Sequence, residues 1–321
     1  MVDAAHTGRL RIVFFGTPAF AVPTLDALLH GRHDVVGVVT QPDRPRGRGF
    51  EVTSAPVKAH AVAAGVRVLQ PERMTAPGFL DDLSALNADL AVVAAYGKIL
   101  SDKVLSVAPL GFINVHASLL PRYRGAAPVH RAIVDGERET GVTIMRVVKA
   151  LDAGPLLARA PRPIGANDTS EEVERDLALL GAGLLVDTID ALAAGRVHEA
   201  PQDQAAANYA PRLTKDEGLI DWTWPAQRIH DLIRGLRPWP HAFTWLAGRR
   251  FMVLRSTWSS DAAAAAPGTI LEAAGDRFRI ATGAGVVNVV EIQAESKRPV
   301  TAREFLAGHR ISQGDTFTPR L

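Results

Sequence analysis

The 321-residue sequence contains no cysteine. A disulfide framework and a thiolate metal site are excluded, and a chain without thiols fits a reducing, cytoplasmic setting without proving it. No HExxH pair or cysteine cluster is found, so no metal is expected. Long hydrophobic runs are also missing. The apolar stretch Leu10 to Phe15 is too short for a secretory signal core or a membrane span. Net charge is scarce as well: 36 basic side chains stand against 34 acidic ones, a formal +2. Total charge therefore says little about partners, and its distribution says more. Residues 207 to 321 hold 15 basic and 11 acidic side chains, net +4, whereas residues 1 to 206 come out at net −2. A random fluctuation over a solvated surface accounts for that count equally well.

What is present is an ordered globular composition, with 47% hydrophobic and 22% charged residues. Continuous apolar runs alternate with helix-like stretches through the first half. "LRIVFFG" precedes a predicted helix over Ala19 to Leu29, "VVGVVTQ" precedes Pro56 to Ala64, and "VRVLQ" precedes Phe79 to Leu86. "LAVVAAYG" and "GFINVHAS" follow. Runs without alternation belong to strands covered on both faces, so the expectation is a doubly wound, Rossmann-like, mostly parallel α/β sheet. A later helix should be N-capped by Thr169 or Ser170, with acidic residues in its first turn favouring the dipole.

Periodicity lapses in the stretch 195 to 211, rich in Pro, Gln and Ala, which reads as a linker. Beyond it, Ile229, Leu232, Ile233 and Leu236 share one helical face. Short strand-like runs such as "RFMVLRSTW" and "GVVNVVEIQAE" then suggest a small β-barrel of the OB kind. The expected division is a first domain over 1–194, a linker over 195–211 and a barrel domain over 212–321.

Three motifs bear on chemistry. "FFGTPAF" ends a strand at Gly16 but lacks the further glycines of a dinucleotide turn, so a plain strand-to-helix turn is the better reading. "QPDRPRGRG" places Arg44, Arg46 and Arg48 in a loop directly after a sheet strand, where open α/β sheets bind ligands. A solvated surface loop and a polyanion contact explain it equally well. In "INVHASLLP", Asn114 and His116 are two positions apart and point to the same face of a strand. Each serves equally as a satisfied structural residue, and the pair needs a third member. Asp152 in "LDAGP" is that candidate: a carboxylate can orient an imidazole while an asparagine amide donates to an oxyanion. With no serine or cysteine nucleophile in the set, the attacking group would belong to a substrate.

Together with "FFGTPAFAVPTLDAL", "INVHASLLPRYRGAAPVHRAI" and "IRGLRPWPHA", these motifs make the chain resemble the folate-dependent formyltransferase family, from about Leu10 into the C-terminal region. The resemblance implies that Asn114, His116 and Asp152 are catalytic. It implies that Ser118, Leu119, Leu120 and Pro121 contact the folate, with "AAYGKIL", including Tyr96 and Gly97, helping to form the pterin pocket. Its tRNA-acting members place a basic loop against the acceptor end, which here matches Arg44, Arg46 and Arg48, and use a C-terminal barrel to hold the rest. The activity so implied is transfer of the formyl group of 10-formyltetrahydrofolate to the amino group of methionyl initiator tRNA, by a monomer. One departure stands out: relatives often continue the loop with basic residues where this chain has Phe50 and Glu51. The nearest alternative is a formyltransferase for a small amine, such as glycinamide ribonucleotide or an amino sugar nucleotide. A folate-binding or RNA-binding protein without catalysis is a further alternative, and it has no need of an oriented proton carrier.

Overall fold

The computed structural model describes residues 8–46 and 51–318. It divides into two compact units, one of Met1–Pro128, Thr140–Arg162 and Glu174–Ala210, the other of Val129–Glu139, Pro163–Val173 and Pro211–Leu321.

In the first unit the strands are, in chain order, β1 (Arg11–Gly16), β2 (Asp34–Val39), β3 (Arg44–Arg46), β4 (Glu51–Thr53), β5 (Val68–Leu69), β6 (Leu90–Ala94), β7 (Phe112–His116), β8 (Arg124–Gly125), β9 (Glu139–Arg146) and β10 (Leu156–Pro163). Seven form one sheet in the order β10-β9-β7-β6-β1-β2-β5. From β5 to β7 all neighbours run parallel, and β9 is antiparallel to β7. The chain builds outward from β1 to β2 and β5, then returns to the other side of β1 for β6 and β7. This reversal is the switch point of a doubly wound sheet, as the uninterrupted apolar runs predict. Gly16, Val39, Ala94 and His116 therefore end their strands along one edge.

The core explains the sequence of these strands. Val13, Phe15, Val39, Leu83, Ala91, Tyr96 and Phe112 belong to one buried cluster. Phe15 meets Tyr96 edge-on with centroids 5.4 Å apart, and Phe112 at 5.5 Å. The first expected helix begins as a 3-10 turn, Ala19–Ala21, and becomes α1 (Val22–Leu29), with Pro23 preorganising its first turn. Helices α2 (Pro56–Ala63), α3 (Phe79–Ser84), α4 (Asp102–Leu105) and α5 (Pro128–Val134) precede the long α6 (Ser170–Ala193). Thr169 caps α6: its Oγ1 accepts from Glu172 N at 3.3 Å, and Glu172 Oε2 accepts from Thr169 N at 2.8 Å.

After β11 (Tyr209–Ala210), the second unit carries α7 (Ala226–Gly235), then β12 (Ala242–Leu246), β13 (Arg249–Ser259), β14 (Ile270–Ala274), β15 (Arg277–Ala281), β16 (Val286–Ala294), β17 (Val300–Thr301) and α8 (Ala302–Gly308). The strands form an antiparallel sheet in the order β12-β13-β16-β15-β14, with β17 beside β16. Strand pairing alone does not close it into a barrel. The segment after α8 touches both edges instead, with Thr318 bridging to Trp245 of β12 and Thr316 to Thr269 at the start of β14. An aromatic core fills this unit: Phe305 lies 5.4 Å from Phe251 and 5.9 Å from Phe278, and Trp222 stacks on Phe317 at 5.6 Å.

Candidate active site

Asn114 and His116 come from the last three residues of β7, at the carboxyl edge of the sheet. The β-pleat puts both on one face, and the register sets Asn114 opposite Met145 and His116 opposite Thr143 of β9. Asn114 is half-buried, and among the described residues its amide forms no hydrogen bond. An amide in that position retains both N–H groups for a ligand.

His116 is only 6% exposed. Its Nε2 lies 2.9 Å from the carbonyl oxygen of Tyr123. A carbonyl can only accept, so Nε2 carries a proton and Nδ1 is the nitrogen left for proton exchange. That Nδ1 stands 3.7 Å from Oδ2 of Asp152, too far for a direct hydrogen bond and within ion-pair distance of the carboxylate. The sequence interval of 36 residues between His116 and Asp152 is thus closed by the fold.

Two local features hold Asp152. It adopts φ +47°, a left-handed conformation that a non-glycine residue rarely takes without support. Its Oδ2 accepts the backbone N–H of Gly125 at 2.9 Å. Gly125, at φ +114°, runs so close to the neighbouring strand that a Cβ would lie 2.8 Å from Ala210 O. Below the histidine, Thr143 Oγ1 donates to Ser118 O at 2.6 Å and accepts from Leu120 N at 3.1 Å, which fixes the chain after β7. Neither Tyr123, Gly125 nor Thr143 carries a sequence signal for these roles, since each acts through backbone groups or through a distant pairing.

The expected folate segment divides by burial. Ser118 and Leu120 are fully buried, Ser118 Oγ donating to Arg122 O at 2.6 Å, whereas Leu119 and Pro121 are partly exposed. Tyr96 does not offer its ring to the site. The ring lies in the core, its hydroxyl 3.3 Å from Met74 Sδ, and burial pushes its pKa up to about 12. Its carbonyl instead accepts from Gln41 Nε2 at 2.7 Å. Gly97 is exposed at φ +79°, and Ile99 beyond it is 87% exposed.

Arg44 is exposed at the start of the β3-β4 hairpin, where Arg46 pairs with Glu51 in register. Arg48 and Phe50 lie outside the described residues. At the root, Asp43 is held by Lys58 Nζ and by Gln70 Nε2, and the Lys58 contact keeps its carboxyl below the usual range. Among the described residues, no group of three His, Cys, Asp or Glu side chains is placed to hold a metal ion.

A small polar set with no internal nucleophile, on the carboxyl edge of such a sheet, suits transfer of a group between two bound substrates. The formyl transferase family model matches residues 10–189, and that of its C-terminal domain matches 212–310. The chain belongs to the formyl transferase family. The methionyl-tRNA formyltransferase of Moorella thermoacetica is 44% identical over 306 residues, covering 95% of this chain and 98% of that one. Among solved structures, the N-formyltransferase of Helicobacter canadensis, in complex with folinic acid and dTDP-3-aminofucose, has a TM-score of 0.64 at 17% identity, covering 88% of this chain and 99% of that one. Glycinamide ribonucleotide transformylase 1 of Symbiobacterium toebii has a TM-score of 0.52 at 23% identity and covers 63% of this formyltransferase and 98% of its own chain.

Proposed function

We propose that this formyltransferase moves the formyl group of 10-formyltetrahydrofolate to the amino group of methionyl initiator tRNA. The observation that carries the reading is near full-length similarity to an enzyme of that name, in a chain that also matches the family's C-terminal domain over residues 212–310.

The geometry supports the following mechanism. The neutral methionyl amine attacks the formyl carbon, forming the new C–N bond and turning the carbonyl into an oxyanion. Asn114 donates to that oxyanion, and His116 stabilises it through its positive charge once Nδ1 has taken up the proton of the attacking amine. The proton lost by the attacking nitrogen passes through His116 Nδ1 to the departing folate nitrogen as its bond to carbon breaks. Asp152 stabilises the imidazolium that exists between those steps. Leu119, Pro121 and the exposed Gly97 are the folate contacts that burial permits; Ser118 and Leu120 shape that segment from within, and Tyr96, its carbonyl held by Gln41 Nε2, shapes the turn that carries Gly97. Arg44, Arg46 and Arg48 meet the acceptor end, and residues 212–321 hold the rest of the tRNA. The reading takes the enzyme as a cytoplasmic monomer; among the described residues no helix is long and apolar enough to cross a membrane.

Competition between methionyl initiator tRNA, methionyl elongator tRNA and glycinamide ribonucleotide, each with 10-formyltetrahydrofolate, tests the acceptor. Formylation confined to the initiator supports the reading. Transfer only to the ribonucleotide would replace it with the small-amine reading.

A further inference from the structure

Gln202 lies in the stretch 195 to 211, which has no periodic pattern and no motif, yet its side chain is 7% exposed. Its Nε2 donates to the carbonyl of Asp152 at 2.9 Å and to that of Gly154 at 2.7 Å. Its Oε1 accepts from Arg124 Nε at 3.1 Å and Nη2 at 2.7 Å. Both amide hydrogens and both oxygen lone pairs are thereby used, and the amide can face only one way. Reversed, it would set its oxygen against two carbonyls and its NH₂ against a guanidinium.

The two ends of this amide reach the two pieces of chain that place the Asp152 carboxylate. One is the turn of Asp152 itself, with its left-handed backbone. The other is Arg124, whose neighbour Gly125 donates the N–H bond to Asp152 Oδ2. The same stretch grips that loop again a few residues on. Asn208 Oδ1 accepts from Tyr123 N, Asn208 O accepts from Arg124 N at 3.0 Å, and β11 pairs with β8. Tyr123 in turn supplies the carbonyl that orients His116. Both members of the His116–Asp152 pair thus depend on residues 202 to 210.

We infer that Gln202 is a positioning residue for formyl transfer: it braces the Asp152 turn to Arg124 and so sets the Asp152 carboxylate against His116 Nδ1. The inference rests on the activity proposed above. Gln202 touches no reacting atom and acts only through Asp152, and that distinguishes it from a residue that merely helps the fold.

The test is a cycle of Gln202→Glu and Asp152→Asn, singly and together. Gln202→Glu keeps the acceptor for Arg124 and loses both donors to the turn, so it retains an anchor that Gln202→Leu lacks; Gln202→Leu is made alongside it. Expected for either Gln202 variant is a fall in kcat of about 10- to 100-fold, with KM for both substrates moving by less than about twofold. In the Asp152→Asn background the same change should cost less than about twofold. An unchanged kcat, or losses that multiply in the double variant, would overturn the inference. A second readout needs no activity: the ring ¹⁵N signals of His116 in substrate-free protein. They should shift in Gln202→Glu, and unshifted signals would overturn the inference whatever the protein formylates. Shifted signals in a protein whose wild type formylates no tRNA would reject the proposed acceptor and keep the brace.

Discussion

A Cβ built on Gly154 would lie 1.9 Å from the carbonyl oxygen of Arg146. The end of β9 and the start of β10 therefore pass each other with no room for a side chain, and Arg146 N also donates to Pro155 O at 2.9 Å. This close approach fixes where the turn bearing Asp152 leaves the sheet. Replacing Gly154 with Ala should force the backbone apart, costing about 1–3 kcal/mol of stability and lowering turnover together. Thermal unfolding and kcat on the same preparation check this. A variant with wild-type values in both would mean that the turn is slack.

Asn114 should act on the transition state and not on folate binding. Asn114→Ala is expected to lower kcat by on the order of 100-fold, the usual cost of removing one oxyanion donor. Folate affinity, measured by titration, should stay unchanged. Weakened folate binding with turnover intact would assign the amide to the pterin instead.

How far the sequence carried these conclusions differs from part to part. The parallel sheet was legible because a strand covered on both faces has no alternation, as in "RIVFFG" and "LAVVA". The start of α6 was legible because its cap is local, Thr169 to Glu172. Asn114 and His116 stood out through the two-residue spacing that puts them on one face. Asp152 could be proposed as a partner, while its left-handed backbone and its bond to Gly125 are products of the fold. The turn of the Tyr96 ring into the core beside Phe15 was not legible, because a tyrosine just after a strand gives no sign of which way its ring turns. Gln202 was invisible: its partners lie 48 to 78 positions away along the chain, and its segment looked like a linker. The bridges from residues 316 and 318 to the two edges of the second sheet were hidden for the same reason, since short extended pieces carry no periodicity.

Acidification should lower the stability of the protein over two pH ranges. Burial, with the Arg131 charge beside it, pushes His130 down from 6.5 to about 4. The Arg255 contact and the Thr169 cap hold Glu172 down from 4.5 to about 2. In both cases the folded state binds fewer protons than the unfolded one, so stability is complete above the unfolded value and is lost as pH falls toward the folded value. Thermal midpoints should fall first between pH 6.5 and 4, then between pH 4.5 and 2. His130→Gln should flatten the first fall and Glu172→Gln the second. A wild-type midpoint constant between pH 6.5 and 4 would remove His130 from the account.

The β3-β4 hairpin makes a separate claim about salt. If Arg46 meets a tRNA phosphate, Arg46→Ala should raise KM for tRNA and make the slope of log affinity against log salt shallower by about one, because fewer counterions are released. The KM for 10-formyltetrahydrofolate should not move. An unchanged salt slope would take the hairpin out of the tRNA contact.

The central claim is that His116, set between the Tyr123 carbonyl and Asp152, carries the proton in formyl transfer to methionyl initiator tRNA. The most direct measurement is the single-turnover formylation rate of His116→Ala against wild type, with folate binding measured on the same samples. The account predicts folate binding retained and a rate lower by about 100-fold or more. A variant that formylates initiator tRNA at the wild-type rate would contradict it.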